Sequence, residues 1–165
     1  MTKNLRVKLA WAVALALTMA IVLPTVASAV WPVHNPRNYI SQGYSSRHRG
    51  VDIASRRWSP VVPMRTGKVV FAGWRSNCGG YQVWISHGRG VYSAYYHLAR
   101  EVTFPGDQVV AGTDTIGYVG TTGCVTGSHV HVELWRGFPW RYGSYRVNPL
   151  TYITEGGAYL PAKYR

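Results

Sequence analysis

Short runs of β-branched and aromatic residues follow one another from Val69 onward, and glycine, proline, asparagine or aspartate separates each run from the next. The runs suit a pleated, half-buried surface and the separating residues suit turns, so the pattern is typical of an all-β domain. It predicts strands of about five to seven residues. We place them at 68–74, 81–86, 92–98, 115–119 and 129–135. The first three are predicted to form a meander.

Sustained helical periodicity is absent from residues 30–165, so few or no helices are predicted there. The stretch 135–165 is rich in tyrosine, tryptophan and arginine and carries Pro139, Pro149 and Pro161, which indicates an irregular tail wrapped on the domain surface. The length fits one compact domain with one core. The predicted fold is therefore all-β, a single small domain of antiparallel sheet with an irregular C-terminal tail.

The first 29 residues have the three parts of a secretory signal peptide. Cations stand at positions 3, 6 and 8, residues 9–23 are apolar except for Thr18, and small residues occupy 27–29. An uncleaved membrane anchor is the alternative, but the apolar run is shorter than the ~20 residues that a spanning helix needs, and Pro24 interrupts its end. We predict cleavage after Ala29 and an extracytoplasmic protein.

Lysine and arginine outnumber aspartate and glutamate by 18 to 6, which gives a formal net charge of +12. Three of these charges lie in the predicted signal peptide, which leaves +9 on residues 30–165. Such a surface attracts polyanions, because net charge acts on steering and nonspecific binding rather than on the fold. For an exported protein the polymers of an anionic cell envelope are the most expected polyanion, and we predict no nucleic-acid partner.

Two cysteines, Cys78 and Cys124, stand in glycine-containing stretches that predict loops. A cysteine-based zinc site needs close pairs such as C-x-x-C, which this spacing does not provide. An even number of cysteines in an exported chain favours a disulfide over two free thiols. We therefore predict a bridge between Cys78 and Cys124.

The histidines are the main candidates for metal chemistry, because the chain has as many histidines as acidic residues, six of each. His48 and Asp52 stand at i and i+4, and in an extended chain these positions point to the same face. His129 and His131 stand at i and i+2 of a predicted strand and share a face with Glu133. A catalytic zinc site takes three histidine or carboxylate ligands and leaves a fourth position for water, so the groups together predict such a site.

Each group alone also has an ordinary structural explanation. His129 and His131 fit an exposed strand, Asp52 fits a turn cap, and His97 fits a core histidine that donates to a carbonyl. Pairs with these spacings occur by chance in many proteins, so neither pair is specific by itself.

Five motifs that follow one another in order add a further constraint. They are RHRGVDIA at 47–54, TGKVVFAGW at 66–74, YYHL at 95–98, TGSHVHVE at 126–133 and VNPL at 147–150. They resemble the first metal motif, the strand after it, the central histidine motif, the closing H-x-H and the C-terminal end of the lysostaphin-type (LytM-like) zinc peptidases. The resemblance implies a peptidase domain at 30–165 with a core of about 38–153.

The resemblance also implies a groove in the β-sheet, with one zinc ion bound by His48, Asp52 and His131. His97 and His129 would be the catalytic pair. Zinc polarises the scissile carbonyl and lowers the pKa of water towards ~7, while unliganded histidines take a proton or stabilise the developing oxyanion. The sequence does not determine which histidine is the general base. We favour His129, because it stands beside a ligand, with His97 stabilising the tetrahedral intermediate.

By this resemblance the chain is a zinc endopeptidase that cuts peptide bonds of bacterial peptidoglycan and is secreted or associated with the cell wall. We expect a monomer held on anionic envelope polymers by its basic surface. The alternative is a noncatalytic module of the same fold that binds the wall or activates an amidase. Such members lack one or more metal-site residues, whereas His48, Asp52, His97, His129 and His131 are all present, which favours the enzyme.

Overall fold

The computed structural model describes residues 29–155, 159–161 and 163. The predicted signal peptide lies outside the described residues apart from Ala29, which is buried and donates its backbone N–H to Tyr152 O. No helix long and apolar enough to cross a membrane is found in the part of the chain that is described.

The described residues form strands joined by turns, with a short 3₁₀ helix at Pro149–Thr151 and no α-helix. In chain order the strands are β1 (Ala29–Val30), β2 (Asn38–Gln42), β3 (Val51–Ser55), β4 (Pro60–Val61), β5 (Gly67–Arg75), β6 (Gly80–Ser86), β7 (Val91–Glu101), β8 (Gln108–Val109), β9 (Gly117–Val119), β10 (His129–Arg136), β11 (Tyr145–Val147) and β12 (Ile153–Glu155). The prediction of a small all-β domain is confirmed.

One large sheet carries the fold, with the strand order β2-β3-β10-β7-β6-β5-β8. All of its pairings are antiparallel, and β5, β6 and β7 form the predicted meander. Short strands complete the edges: β11 pairs with β10, and β9 pairs with both β4 and β7. A separate parallel pair joins β1 to β12. The sheet places β3, β10 and β7 side by side, and these three strands carry the candidate site.

The C-terminal tail is more regular than predicted. The structure gives it two short strands, β11 and β12, and a 3₁₀ turn between them, in which the Asn148 side chain accepts the N–H of Leu150. Strands of three residues are too short to show alternation in the sequence, and they form here because neighbouring strands offer unpaired backbone groups. The same reason explains why the two-residue strands β4 and β8 were not predicted.

The alternation of β10 separates the core from the site. Val130, Val132 and Leu134 are almost fully buried in the main hydrophobic cluster. The intervening His129 and His131 are partly exposed on the opposite face, because successive side chains of a strand point to opposite sides. Each buried aliphatic side chain contributes roughly 1.5–3 kcal/mol of hydrophobic free energy, which fixes the orientation of the strand and therefore of both histidines.

Candidate metal centre

The strand register brings the predicted ligands together. Asp52 of β3 lies directly opposite His131 of β10, and His131 lies opposite Tyr96 of β7. Directly opposed residues of antiparallel strands share a face about 5 Å apart, so the sheet itself positions the Asp52 and His131 side chains. His48 lies in an irregular segment before β3 rather than in an extended strand. A bend in that segment, not the predicted extended geometry, brings it to Asp52.

Gly50 allows this bend to pass close to the metal site. A Cβ at this position would overlap the imidazole ring of His131 and would lie 2.8 Å from the Val132 carbonyl oxygen. Any side chain would therefore push His131 away from its neighbours. The glycine between His48 and Asp52 is needed for close approach.

The donor atoms of His48, Asp52 and His131 form a compact triangle. Asp52 Oδ1 lies 3.1 Å from His48 Nε2 and 2.6 Å from His131 Nδ1, and the two nitrogens are 3.1 Å apart. Donors on a tetrahedral zinc ion at bond lengths of about 2.0–2.1 Å would be separated by roughly 3.3 Å. The triangle is therefore close to the size that one ion requires, and these three residues form a group that could hold a metal.

Hydrogen bonds behind the two imidazoles direct their inner nitrogens towards the centre of the triangle. His48 donates Nδ1–H to the Gly43 carbonyl oxygen at 2.9 Å, and His131 donates Nε2–H to Glu133 Oε1 at 3.4 Å. His131 Nδ1 also carries a proton, which it donates to Asp52 Oδ1 at 2.6 Å; a metal ion would replace that proton, while the outer acceptors keep the far nitrogen of each ring protonated. Two imidazole nitrogens and one carboxylate oxygen are the donor set of a metal site, and the outer hydrogen bonds orient them.

Glu133 is a residue of the candidate site whose contact with His131 the sequence did not reveal. It is almost fully buried, and besides His131 it accepts hydrogen bonds from Tyr96 Oη at 2.6 Å, Trp135 Nε1 at 2.7 Å and Arg146 Nη1 at 2.8 Å. These donors satisfy a charge that would otherwise be costly to bury. The available signal was its position two residues after His131, which places it on the same face.

The protonation behaviour of the triangle shows that it attracts positive charge. Burial lowers the pKa of His131, but its bonds to the Asp52 and Glu133 carboxylates outweigh burial and raise that pKa to about 9. Burial raises the pKa of Asp52, but the hydrogen bond from His131 and the charges of the neighbouring histidines lower it overall. A proton held between these groups occupies the position that suits a cation, so a metal ion would bind there in competition with protons.

The two predicted catalytic histidines face the same cavity. His97 and His129 donate Nδ1–H to the carbonyl oxygens of Thr122 and Gly127, at 2.9 and 3.0 Å, so both Nε2 atoms are proton acceptors. Their rings are 4.9 Å apart, and His129 Nε2 lies 3.8 Å from Asp52 Oδ1. Burial lowers the pKa of His97 to about 4, so His97 is neutral at neutral pH.

A cavity of about 420 Å³ unites all five predicted site residues with Tyr96, Glu133 and Trp140. The predicted disulfide between Cys78 and Cys124 forms part of its wall, with a Cα–Cα distance of 4.7 Å. The two loops also bond through Cys124 N–H and Cys78 O at 2.9 Å. The bridge holds the hairpin between β5 and β6 against the loop that carries the Thr122 carbonyl.

Residues 46–149, which include every site residue, match the family model described as Peptidase family M23. The chain belongs to peptidase family M23. The predicted lysostaphin-type resemblance is thereby confirmed.

Relatives and a solved structure agree with this assignment. Lysostaphin from Staphylococcus staphylolyticus is 38% identical over 87 residues, which are 52% of this chain and 18% of that protein. The DD-carboxypeptidase/endopeptidase Mpg from Neisseria meningitidis is 36% identical over 104 residues, 63% of this chain and 22% of that protein. This M23 chain thus spans about a fifth of the length of these relatives.

The structure is similar to a mutant form of the catalytic domain of the prophage-encoded M23 protein EnpA from Enterococcus faecalis. The TM-score is 0.65 at 30% sequence identity, over 73% of this chain and 95% of that one. The match covers almost the whole EnpA domain, so this M23 chain contains a peptidase domain of comparable extent.

Proposed function

We propose that this M23 chain is an endopeptidase that hydrolyses peptide bonds in bacterial peptidoglycan with one zinc ion bound by His48, Asp52 and His131. The observation that carries the proposal is the triangle of donor atoms 2.6–3.1 Å apart in a cavity that also contains two unliganded histidines. The names of its relatives, lysostaphin and a DD-carboxypeptidase/endopeptidase, support the substrate class.

The donor set supports zinc as the metal. Two histidine nitrogens and one carboxylate oxygen are a common set for catalytic zinc, whereas magnesium and calcium prefer oxygen donors. When bound, zinc supplies a Lewis acid that polarises the scissile carbonyl and makes water acidic enough to attack near neutral pH.

His129 is the group best placed to take the proton of the attacking water. Its Nε2 is an acceptor, and the Asp52 carboxylate 3.8 Å away stabilises the imidazolium that forms. The same proton can then pass to the leaving amine.

The predicted oxyanion role of His97 needs a proton that the resting side chain lacks. Its Nε2 is an acceptor, and burial, which lowers its pKa to about 4, opposes uptake of a second proton. We therefore propose that neutral His97 accepts a hydrogen bond from the attacking water or from the substrate amide, and so orients the reacting groups.

The competing hypothesis is a noncatalytic module that binds the wall or activates an amidase. Such a module has no need to preserve both the metal donors and two unliganded histidines that present Nε2 to one cavity. The presence of all five residues in one cavity favours the enzyme.

The setting that we propose for this activity is extracytoplasmic. A net charge of +9 on residues 30–165 would hold a monomer on anionic envelope polymers, and added salt would weaken this attachment.

Release of new amino groups from purified peptidoglycan tests the proposed reaction. We expect release by the zinc-loaded protein, loss of release with a chelator, and recovery on adding zinc. His131→Ala should lose both bound zinc and activity, whereas His129→Asn should keep zinc and lose activity, because Asn retains the bond to the Gly127 carbonyl. Zinc-loaded, folded protein that binds several types of peptidoglycan and releases nothing from any of them would overturn the enzyme in favour of the noncatalytic module.

A further inference from the structure

The cavity of about 420 Å³ that contains the five predicted site residues is called the metal-site cavity. A second cavity of about 470 Å³ lies beside it and has a different chemical character. Its lining combines three arginines with tryptophan and tyrosine rings and contains no acidic side chain. The residues that matter to the argument are Arg49, Trp135, Trp140, Arg141, Tyr145 and Arg146.

Trp140 separates the two cavities and contacts both. Its backbone is in the left-handed region, with φ 65°, its side chain is half exposed, and its Nε1–H donates to Tyr96 Oη at 3.3 Å. A bulky side chain in this conformation is strained, which is more common at binding sites than elsewhere. Arg49, next to the metal ligand His48, belongs to the second cavity as well. A single extended substrate could therefore occupy both cavities.

Arg146 is held rigidly in this cavity. Its Nη1 donates to Glu133 Oε1 at 2.8 Å, and its guanidinium lies 4.9 Å from the ring centroid of Trp135 and 5.3 Å from that of Trp140. Glu133 also accepts from His131, so Arg146 is two hydrogen bonds away from a metal ligand. A guanidinium fixed in this way binds an anion without losing much further side-chain entropy.

The positive charge of the cavity is not balanced within the described part of the chain. Arg49 donates to Tyr44 Oη at 3.3 Å and Arg141 stacks on Phe138 at 4.8 Å, and neither forms an ion pair with a described residue. Arg146 has one carboxylate partner, Glu133, which is shared with His131. Three guanidinium groups around one concave site leave a surplus of donors whose planar, forked geometry matches a carboxylate.

We infer that the cavity formed by Arg49, Trp140, Arg141 and Arg146 binds a free carboxylate of the substrate peptide. The inference rests on the proposed function and narrows it: the substrate is an acidic peptide whose carboxylate lies within a few residues of the bond that is cut, rather than a neutral peptide bridge. The aromatic rings pack against the peptide backbone beside that carboxylate.

Chemical amidation of one peptidoglycan preparation supplies a matched substrate pair. Carbodiimide and ammonia convert free carboxylates to carboxamides of nearly the same shape, and a mock treatment without carbodiimide leaves them charged. We expect amidation to lower the rate of amino-group release at limiting substrate by about tenfold or more, since a charge-assisted hydrogen bond is exchanged for a neutral one. A muramidase whose activity does not depend on the peptides should digest both preparations equally. This controls for a change in the accessibility of the peptidoglycan.

Arginine variants test whether this cavity causes the preference for the charged preparation. Arg141→Gln and Arg49→Gln should release amino groups from the two preparations at similar rates while binding zinc as the original protein does. Arg57→Gln is the matched control, because it removes an equal charge at an arginine that stacks on Trp58 outside the cavity. Arg57→Gln should keep the preference for the charged preparation over the amidated one. If Arg57→Gln reduces the preference as much as Arg141→Gln does, the effect is general charge attraction and the inference is wrong.

The outcomes separate this inference from the proposed function. Equal release from the charged and amidated preparations would overturn the carboxylate site and leave the endopeptidase intact. Removing phosphodiester polymers from the wall with hydrofluoric acid should leave the preference intact, because amidation does not alter phosphodiesters, and loss of the preference would overturn the inference.

Release from neither preparation would overturn the proposed function instead, and a binding measurement still decides the inference in that case. N-acetylalanine, which has one free carboxylate, should change tryptophan fluorescence at a concentration about tenfold lower than N-acetylalaninamide, which has none, and Arg141→Gln should remove that difference. Equal responses to both compounds would contradict the inference.

Discussion

His97 and His87 lie at opposite ends of the hairpin formed by β6 and β7, and they are alike in two respects. Burial lowers the pKa of each to about 4. Each ring donates Nδ1–H to a carbonyl oxygen from another part of the chain, His97 to Thr122 at 2.9 Å and His87 to Thr66 at 3.1 Å. By burial, charge state and tautomer the two histidines are nearly equivalent.

They differ in what their second nitrogen meets. His97 Nε2 faces the metal-site cavity as a free acceptor. His87 Nε2 lies 2.9 Å from Ser93 Oγ, whose hydroxyl bonds Tyr95 Oη at 3.0 Å, and Tyr95 Oη also accepts the Met64 N–H at 2.7 Å. Both ring nitrogens of His87 therefore have hydrogen-bond partners within the fold. The lowered pKa of both histidines therefore reports only that they are buried. The feature that makes His97 available for chemistry is an acceptor nitrogen that has no partner among the described residues and faces a cavity.

The same substitution at both positions should give the largest contrast. Asparagine keeps the Nδ1-type donor and removes only the second nitrogen, and it tolerates the positive φ of 63° at His97. We expect His97→Asn to lower the rate of peptidoglycan hydrolysis by about 10²- to 10⁴-fold and His87→Asn to change it by less than about twofold. Amino-group release from equal amounts of folded, zinc-loaded protein measures this. Similar losses of hydrolysis rate in both variants would contradict the assignment of a catalytic role to His97 and not to His87.

Removing the disulfide should affect the His97 end of the hairpin more than the His87 end. The double variant Cys78→Ser with Cys124→Ser should lose about 2–4 kcal/mol of stability in urea unfolding, because the unfolded chain regains entropy. The His97 N–H donates to Gly79 O, next to Cys78, so its amide should exchange faster with deuterium. The amide of His87, which donates to Val91 O, should exchange as before. Equal acceleration at both amides would contradict this local role.

Lowering the pH should reduce the free energy of unfolding through His87. Its pKa of about 4 in the folded protein is below the ordinary 6.5, so the unfolded chain takes up the proton first as the pH falls. The stability that neutral His87 contributes is present above about pH 6.5 and is lost as the pH falls towards 4. We expect the free energy of unfolding to fall by up to about 3 kcal/mol over this range. The His87→Asn variant should not show this decrease. Urea unfolding at a series of pH values tests it, and parallel pH profiles for the two proteins would disprove it.

Tyr95→Phe should have the smallest of these effects. The substitution leaves the buried Met64 N–H without its acceptor and Ser93 without one partner, which should cost about 1–2 kcal/mol. Hydrolysis at saturating zinc should be unchanged. Tyr92→Phe on the same strand is the control, because no described hydrogen bond involves its hydroxyl. If both variants unfold at the same urea concentration, the network does not stabilise the fold.

The long strands of the sheet could be predicted from the sequence, and so could the short strand β9, which lies within the predicted 115–119, whereas the other short strands could not. β10 was predicted within one residue, because Val130, Val132 and Leu134 alternate with polar positions. β3 was not predicted as a strand, although its Asp52 was predicted to be a metal ligand and lies in a group that could hold a metal. Its five residues are stabilised by pairing with β2 and β10, which is a long-range interaction that local alternation does not report.

The sequence by itself determined the donor atoms of the site, their spacing, the alternation that turns His129 and His131 away from the core, and the surplus of positive charge. Only the tertiary structure decided which nitrogen of His97 and of His87 donates to a carbonyl oxygen, because the acceptors at Thr122 and Thr66 come from other segments of the chain. It likewise decided that Arg146 reaches Glu133 and that Trp140 divides two cavities. Periodicity acts between near neighbours, whereas hydrogen bonds and cavities depend on contacts between residues far apart in sequence.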